Sequence, residues 1–276
     1  MLRIGQIEYA NCTPIYHVLR EHFPYSGYEF IRGVPTELNR LLEHGNIDVC
    51  PSSSIEYALH YERYRILPDL SISSDGAVAS VLLFSRFPIE ELDGKLILLS
   101  SESATSVNLL KILMVQRYNC CCRYAVTSRS FSDALVDSPA LLLIGDAALR
   151  ASYAGSDLHV YDLGTLWRDW TGLPFVFALW LCRSDVADSP DLKMLANSLI
   201  QARILLPVNY SEIVRKANET GWMGRDRLLA YWRENIQYDL EKPKISGLMT
   251  FFEKCGELGL IKSVPDLYFT DTDAQV

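Results

Sequence analysis

The sequence has no basic excess. Its 26 lysines and arginines are outnumbered by 34 aspartates and glutamates, a formal net charge of -8. A nucleic-acid binder carries a basic patch or stripe, so nucleic acid is not an expected partner. No apolar run is long enough for a membrane span. The longest, Leu173 to Cys182, has ten residues, against about 20 for a spanning helix. The N-terminus enters a strand-like run at once, without a long apolar stretch or a small-residue cleavage site of the secretory type. The expected location is therefore the cytoplasm, with no membrane partner. Seven cysteines include no C-x-x-C pair, and Cys120, Cys121 and Cys122 are consecutive. That pattern points to free thiols rather than a disulfide framework or a zinc site. The five histidines, His17, His22, His44, His60 and His159, form no metal-type cluster. Glycine-rich nucleotide fingerprints, a Walker loop and a G-x-S-x-G elbow are all missing.

What is present is an ordinary globular composition, 49% hydrophobic and 22% charged over 276 residues. That length makes one large domain or two lobes, with a core that needs no staple. Strand-like and helix-like segments alternate. Arg3 to Glu8, Tyr28 to Gly33 and Ile47 to Cys50 read as strands. Ile15 to His22, Pro35 to His44 and a helix opened by Pro51-Ser52-Ser53-Ser54 lie between and after them. After Val78 to Ser85 and the turn Asp93-Gly94, the alternation restarts. Strands are expected at Lys95 to Leu99 and Leu141 to Ile144, with helices at Val107 to Tyr118 and from Ala147. Leu173 to Cys182 reads as a central strand. Helices follow at Pro190 to Leu205, Ser211 to Ala217, Arg225 to Gln237 and Ile245 to Leu258. This order predicts an α/β protein with mostly parallel sheets covered by helices. Its C-terminal helices have no sheet of their own. The expected division is lobe one at 1–86 plus 186–276 and lobe two at 87–185, with a ligand cleft between.

In open α/β sheets ligands sit beyond the carboxyl ends of strands, so the strand-to-helix turns matter most. They are Asn11-Cys12-Thr13, Ser52-Ser53-Ser54, Ser103-Ala104-Thr105-Ser106 and Gly145-Asp146. Hydroxyls and amides there serve as ordinary helix caps. Converging in a cleft, they would instead offer neutral donors to a small molecule with one or two carboxylates. Asp48, Asp75 and Asp146 lie at strand ends or turns, as caps or as carboxylate bases. Trp167 and Trp170 precede the long strand, as core packing or as a cleft wall. These residues alone do not separate a carrier from an enzyme.

Several stretches together resemble one family. They begin with Ile4-Gly5 through Tyr9-x-Asn11-x-x-Pro14, then Gly33-x-Pro35-x-x-Leu38-Asn39, Gly45-x-Ile47-Asp48 and Ser52-Ser53-Ser54-Ile55-Glu56-Tyr57-Ala58. Ser73-Ser74-Asp75-Gly76-Ala77-Val78-x-Ser80-Val81, Leu83-Phe84-Ser85, Leu99-Ser100 and Ser103-x-Thr105-Ser106 follow. Ile144-Gly145-Asp146-Ala147-Ala148-Leu149, Asp162-Leu163-Gly164-x-x-Trp167 and Trp170-Thr171-Gly172-Leu173-Pro174-Phe175-Val176-Phe177-Ala178-x-Trp180 close the series. In this order, over about residues 1 to 182, they are similar to the chorismate dehydratases of the futalosine route to menaquinone. The resemblance implies a two-lobed, type II periplasmic-binding-protein-like fold in a cytoplasmic lyase without metal or cofactor. It implies loss of water from chorismate to give 3-[(1-carboxyvinyl)oxy]benzoate, with the substrate's own enolpyruvyl carboxylate as base. By motif position, Asn11 and Ser80 would be the catalytic pair. Ser52, Ser53, Ser103, Thr105, Ser106 and Asp146 would hold the substrate. The sister 1,4-dihydroxy-6-naphthoate synthase and a non-catalytic carboxylate binder or sensor are the competing readings. Oligomeric state is not set by these patterns.

Overall fold

The computed structural model describes residues 1–102, 104–155 and 157–271. Among these residues ten strands form two five-stranded sheets. They are β1 (Leu2–Ile7), β2 (Tyr28–Gly33), β3 (Val49–Ser53), β4 (Tyr64–Ser74), β5 (Val81–Ser85), β6 (Leu96–Ser100), β7 (Arg123–Thr127), β8 (Ala140–Ile144), β9 (His159–Asp162) and β10 (Phe175–Arg183). The first sheet runs β2-β1-β3-β10-β4 and the second β7-β6-β8-β5-β9. The parallel part of each sheet comes from the βα alternation: β1 with β2 and β3, and β6 with β7 and β8. The antiparallel part comes from the strands that join the sheets. β10 pairs antiparallel with β3 and β4, and β5 with β8 and β9. The sheets are therefore mixed rather than mostly parallel.

Sheet membership also fixes where the chain crosses. Val81–Ser85 lies in the second sheet and Phe175–Arg183 in the first. The crossings fall at 75–80 and 163–174, before the boundaries at 86/87 and 185/186 expected from the sequence. The physical reason is that both runs are almost wholly apolar, and each fills an interior slot of its sheet that is largely buried. Hydropathy alone does not say which sheet owns such a strand.

The sequence pattern does not show the longest strand, β4. Pro68 and Asp69 break its pattern, and the structure accommodates them in a bulge. Asp69 has φ 59, and the β10–β4 register shifts between Leu179 and Leu181. Helix Pro190–Lys216 is one element rather than two. Ser189 accepts from the Leu192 N–H at 3.3 Å, Pro190 occupies the first turn, and the helix continues through Pro207. It packs on helix Thr13–His22, while helix Lys242–Glu257 covers β10. Gly247 allows that approach, because a Cβ there would stand 2.0 Å from the Pro174 carbonyl oxygen. Trp167 is fully buried, donates to the Pro174 carbonyl at 3.2 Å and packs edge-on against Phe175 and Phe251. It is a core residue. Asp48 pairs with Arg3 and Arg183, and Asp75 with Arg168 on the surface. Among the described residues no helix is long and apolar enough to cross a membrane, and no His, Cys, Asp and Glu side chains group as metal ligands.

Candidate active site

The carboxyl ends of β1, β3 and β8 point into one cavity between the sheets. About 560 Å³ of space lies between its walls, part of it open to solvent. Each of the four strand-to-helix turns contributes one lining residue: Asn11, Ser53, Ser106 and Gly145. Ser80, in the crossing just before β5, lines the same cavity. Two rows of paired residues line it from the sheets. Ser53, Ala178 and Ile72 stand opposite one another across β3, β10 and β4. Val81 and Ile144 do the same across β5 and β8. Opposed residues share a face, so strand register places a hydroxyl from one sheet and an apolar wall from the other around one space. Phe177 adds an aromatic wall, packed edge-on against Phe175 at 4.6 Å.

The polar atoms are individually held. Among the described residues the buried Asn11 Oδ1 has no hydrogen-bond partner, while the Asn11 backbone carbonyl accepts from the Tyr238 hydroxyl at 2.7 Å. An unpaired buried acceptor costs free energy unless a ligand supplies a donor. Ser80 is 2% exposed. Its Oγ accepts from the Tyr231 hydroxyl at 2.9 Å and donates to the Val78 carbonyl at 3.3 Å, a long contact. The turn before it is strained, with Ala79 at φ 59. Asp162 pins it by accepting from the Val78 and Ala79 N–H groups at 3.1 and 2.6 Å. Burial pushes the Asp162 carboxyl up, and the N–H donors work against that. Ser53 Oγ accepts from Asn39 Nδ2 at 3.1 Å, so its own proton is left to donate elsewhere.

Three further sequence-derived site residues face away from the cavity. Ser52 donates to Asn39 Oδ1 at 2.7 Å, because alternation along β3 turns it from Ser53. Thr105 Oγ1 accepts from the Ile55 N–H at 3.2 Å and lies 3.3 Å from Ser54 Oγ. Asp146 accepts from the Ala10 N–H at 3.0 Å and lines a different, outer cleft. Burial pushes its carboxyl above the usual range, and Glu219 adds to this against the Ala10 donor. Thr105 and Asp146 thus tie the two sheet layers together at the cavity edge. Ser103 lies outside the described residues.

Tyr9, Pro35 and Phe177 line the cavity without having been singled out as site residues. All three stand inside the motif blocks, so the signal was there. Tyr9 donates to Glu102 Oε2 at 2.7 Å, across from β1 to the second sheet. Gly145 makes room for that ring. Its φ is 58, and a Cβ there would stand 3.0 Å from Tyr9. Among the described lining residues Tyr9 is the single titratable side chain. Burial and the Glu102 carboxylate hold its phenol far above its ordinary value. The described lining residues therefore offer neutral donors, an aromatic wall and, among them, no base that is ionised at neutral pH.

Comparison with known proteins agrees with this architecture. A chorismate dehydratase of Thermus thermophilus is 34% identical over 270 residues, covering 92% of this chain and 94% of that protein. An Archaeoglobus fulgidus protein of known structure superposes with a TM-score of 0.78 at 20% identity, over 94% of this chain and 98% of that one. The periplasmic aliphatic sulphonate binding protein of Escherichia coli superposes with a TM-score of 0.69 at 13% identity, over 100% and 94%. These two likenesses are of fold, and the fold is that of periplasmic binding proteins. A family model described as menaquinone biosynthesis matches residues 2–257, nearly the whole described chain, and the chain belongs to that family.

Proposed function

We propose that this chain is a chorismate dehydratase, forming 3-[(1-carboxyvinyl)oxy]benzoate and water at a cytoplasmic step of the futalosine route to menaquinone. The observation that carries the reading is the convergence of four strand-to-helix turns and Ser80 on one cavity with, among the described lining residues, no ionised base. Neutral donors in a low-dielectric space suit an anion that must keep its own basicity. The enolpyruvyl carboxylate takes the proton from the ring carbon that bears the ether. The C–H electron pair becomes a ring double bond, and hydroxide leaves the neighbouring carbon as water, with the proton passed on from the enolpyruvyl carboxyl. Aromatisation supplies the driving force. The protein's task is to hold one reactive pose and to stabilise the departing oxygen.

In this reading Asn11 and Ser80 face the reacting atoms. The unpaired Asn11 Oδ1 accepts from the ring hydroxyl, and the Ser80 proton leaves its long contact with Val78 for a charged acceptor. Ser53 and Ser106 hold carboxylate oxygens. Ser52, Thr105 and Asp146 act from behind, through Asn39 and the ties between the sheets. The test is direct. Purified protein is incubated with chorismate and the products are separated with mass detection. A product lighter by one water that co-elutes with authentic 3-[(1-carboxyvinyl)oxy]benzoate supports the reading. Unchanged chorismate with a folded sample contradicts it and favours a carboxylate binder.

A further inference from the structure

The C-terminal layer carries no recognised motif, yet one short stretch of it reaches both turns of the proposed reacting pair. The Tyr231 hydroxyl donates to Ser80 Oγ at 2.9 Å. Trp232 Nε1 donates to the Ala10 carbonyl at 2.7 Å, and Asn235 Nδ2 to the Ala77 carbonyl at 3.0 Å. The Tyr238 hydroxyl donates to the Asn11 carbonyl at 2.7 Å. Gln237 and Ser73 exchange backbone hydrogen bonds at 2.9 Å, which anchors the stretch to β4. Tyr231, Trp232 and Tyr238 are all buried. Tyr231–Asn235 is a π-helical turn, a local irregularity that changes where successive side chains point and recurs at functional sites.

We propose that Tyr231 is a positioning residue that fixes the direction of the Ser80 hydroxyl proton toward the substrate. The proposal rests on the reading of Ser80 as a donor to the substrate. A phenol is a stronger acid than an aliphatic alcohol, so in the Tyr231–Ser80 pair the phenol donates. One acceptor site of Ser80 Oγ is then filled, and its own proton is confined to the remaining directions. Without a ligand that proton rests on Val78 at 3.3 Å. With one, a negatively charged oxygen is the better acceptor. Burial holds the Tyr231 phenol far above its ordinary value, so it stays a donor at neutral pH. Removing the phenolic oxygen leaves Ser80 in place but free to turn.

The experiment measures kcat and KM for wild type, Tyr231→Phe, Ser80→Ala, the double variant and Tyr210→Phe. Phenylalanine keeps the ring and its packing. Tyr210 is a matched control, a buried tyrosine of the same layer whose hydroxyl donates to the Trp232 carbonyl at 3.3 Å and does not reach the cavity. Tyr231→Phe is expected to lower kcat by about 10- to 100-fold with KM within about twofold. In the Ser80→Ala background the same change should alter kcat by less than about twofold, because nothing remains to orient. Tyr210→Phe should lower the unfolding temperature and keep kcat. Wild-type kcat in Tyr231→Phe, beside an impaired Ser80→Ala, overturns the positioning role alone. Wild-type kcat in Ser80→Ala overturns the reading of Ser80 and the proposal with it. Losses that multiply in the double variant, or an equal loss in Tyr210→Phe, show a general loosening and also overturn it.

Discussion

The four strand-to-helix turns and the C-terminal layer differ in how they meet the cavity. The turns present their own side chains to it: Asn11, Ser53, Ser106, and Gly145 as a gap beneath Tyr9. Among the described residues the layer from Pro190 onward lines none of it, but its donors hold the backs of the Asn11 and Ser80 turns. The front is made of small residues at strand ends and in the first turns of helices, the usual place for ligands in α/β sheets. The back is made of large buried aromatics, each with one polar atom, which suits fixing geometry. Front positions should therefore move rate and binding, and back positions should act through the front.

The largest effect should come from the front pair. Asn11→Ala or Ser80→Ala should cut kcat by about 10²- to 10³-fold, the scale of losing one preorganised polar contact to the reacting atoms, while the unfolding temperature moves little. A rate within about twofold of wild type in both would dissolve the distinction between front and back. Gly145→Ala should come next. The new Cβ meets Tyr9 at a left-handed backbone position. We expect kcat/KM to fall about tenfold and stability by about 1–2 kcal/mol, read by steady-state assay and denaturant titration.

Ser53→Ala against Ser52→Ala sharpens the comparison within one strand. The first should raise KM about tenfold, the value of one hydrogen bond to a charged group. The second should leave KM near wild type and cost about 1 kcal/mol of stability through Asn39. The smallest effect on activity is expected at Asp48, which does not line the cavity. Burial works to raise its carboxyl, but the Arg3 guanidinium at 2.6 Å and the Arg3 backbone N–H at 2.8 Å outweigh that and hold it low. A carboxyl held below its ordinary 3.8 adds stability that is fully present above that pH. The contribution fades as pH falls through the lower, folded value. Asp48→Asn should cost about 2 kcal/mol at neutral pH, with kcat unchanged. The gap to wild type, followed by thermal unfolding against pH, should narrow on acidification below about pH 4.

Much of the front was legible because its signals are local. A polar turn between a buried strand and a helix is a few adjacent letters, and Asn11, Ser53 and Ser106 were found that way. Ser80 came only with the family motif, since a serine entering an apolar strand looks like any other. The back was not legible. Tyr231 and Ser80 stand 151 positions apart, and no periodicity links a tyrosine in a helical turn to a distant hydroxyl. The same limit applied to β4. Its pattern is broken by Pro68 and Asp69, and only the partner strand β10 shows that the break is a bulge. The side of β3 that faces the cavity was also open, because all five of its residues are buried. Pairing of Ser53 with Ala178 decides it.

The most direct measurement is a crystal structure of Asn11→Ala soaked with chorismate, which should slow turnover enough to trap the ligand. The account predicts the ring against Phe177, its oxygens within hydrogen-bond distance of Ser80 and Ser53, and no protein carboxylate beside the ring carbon that loses its proton. Chorismate seated in the outer cleft beside Asp146 and Arg150, or with a protein carboxylate against that carbon, would contradict it.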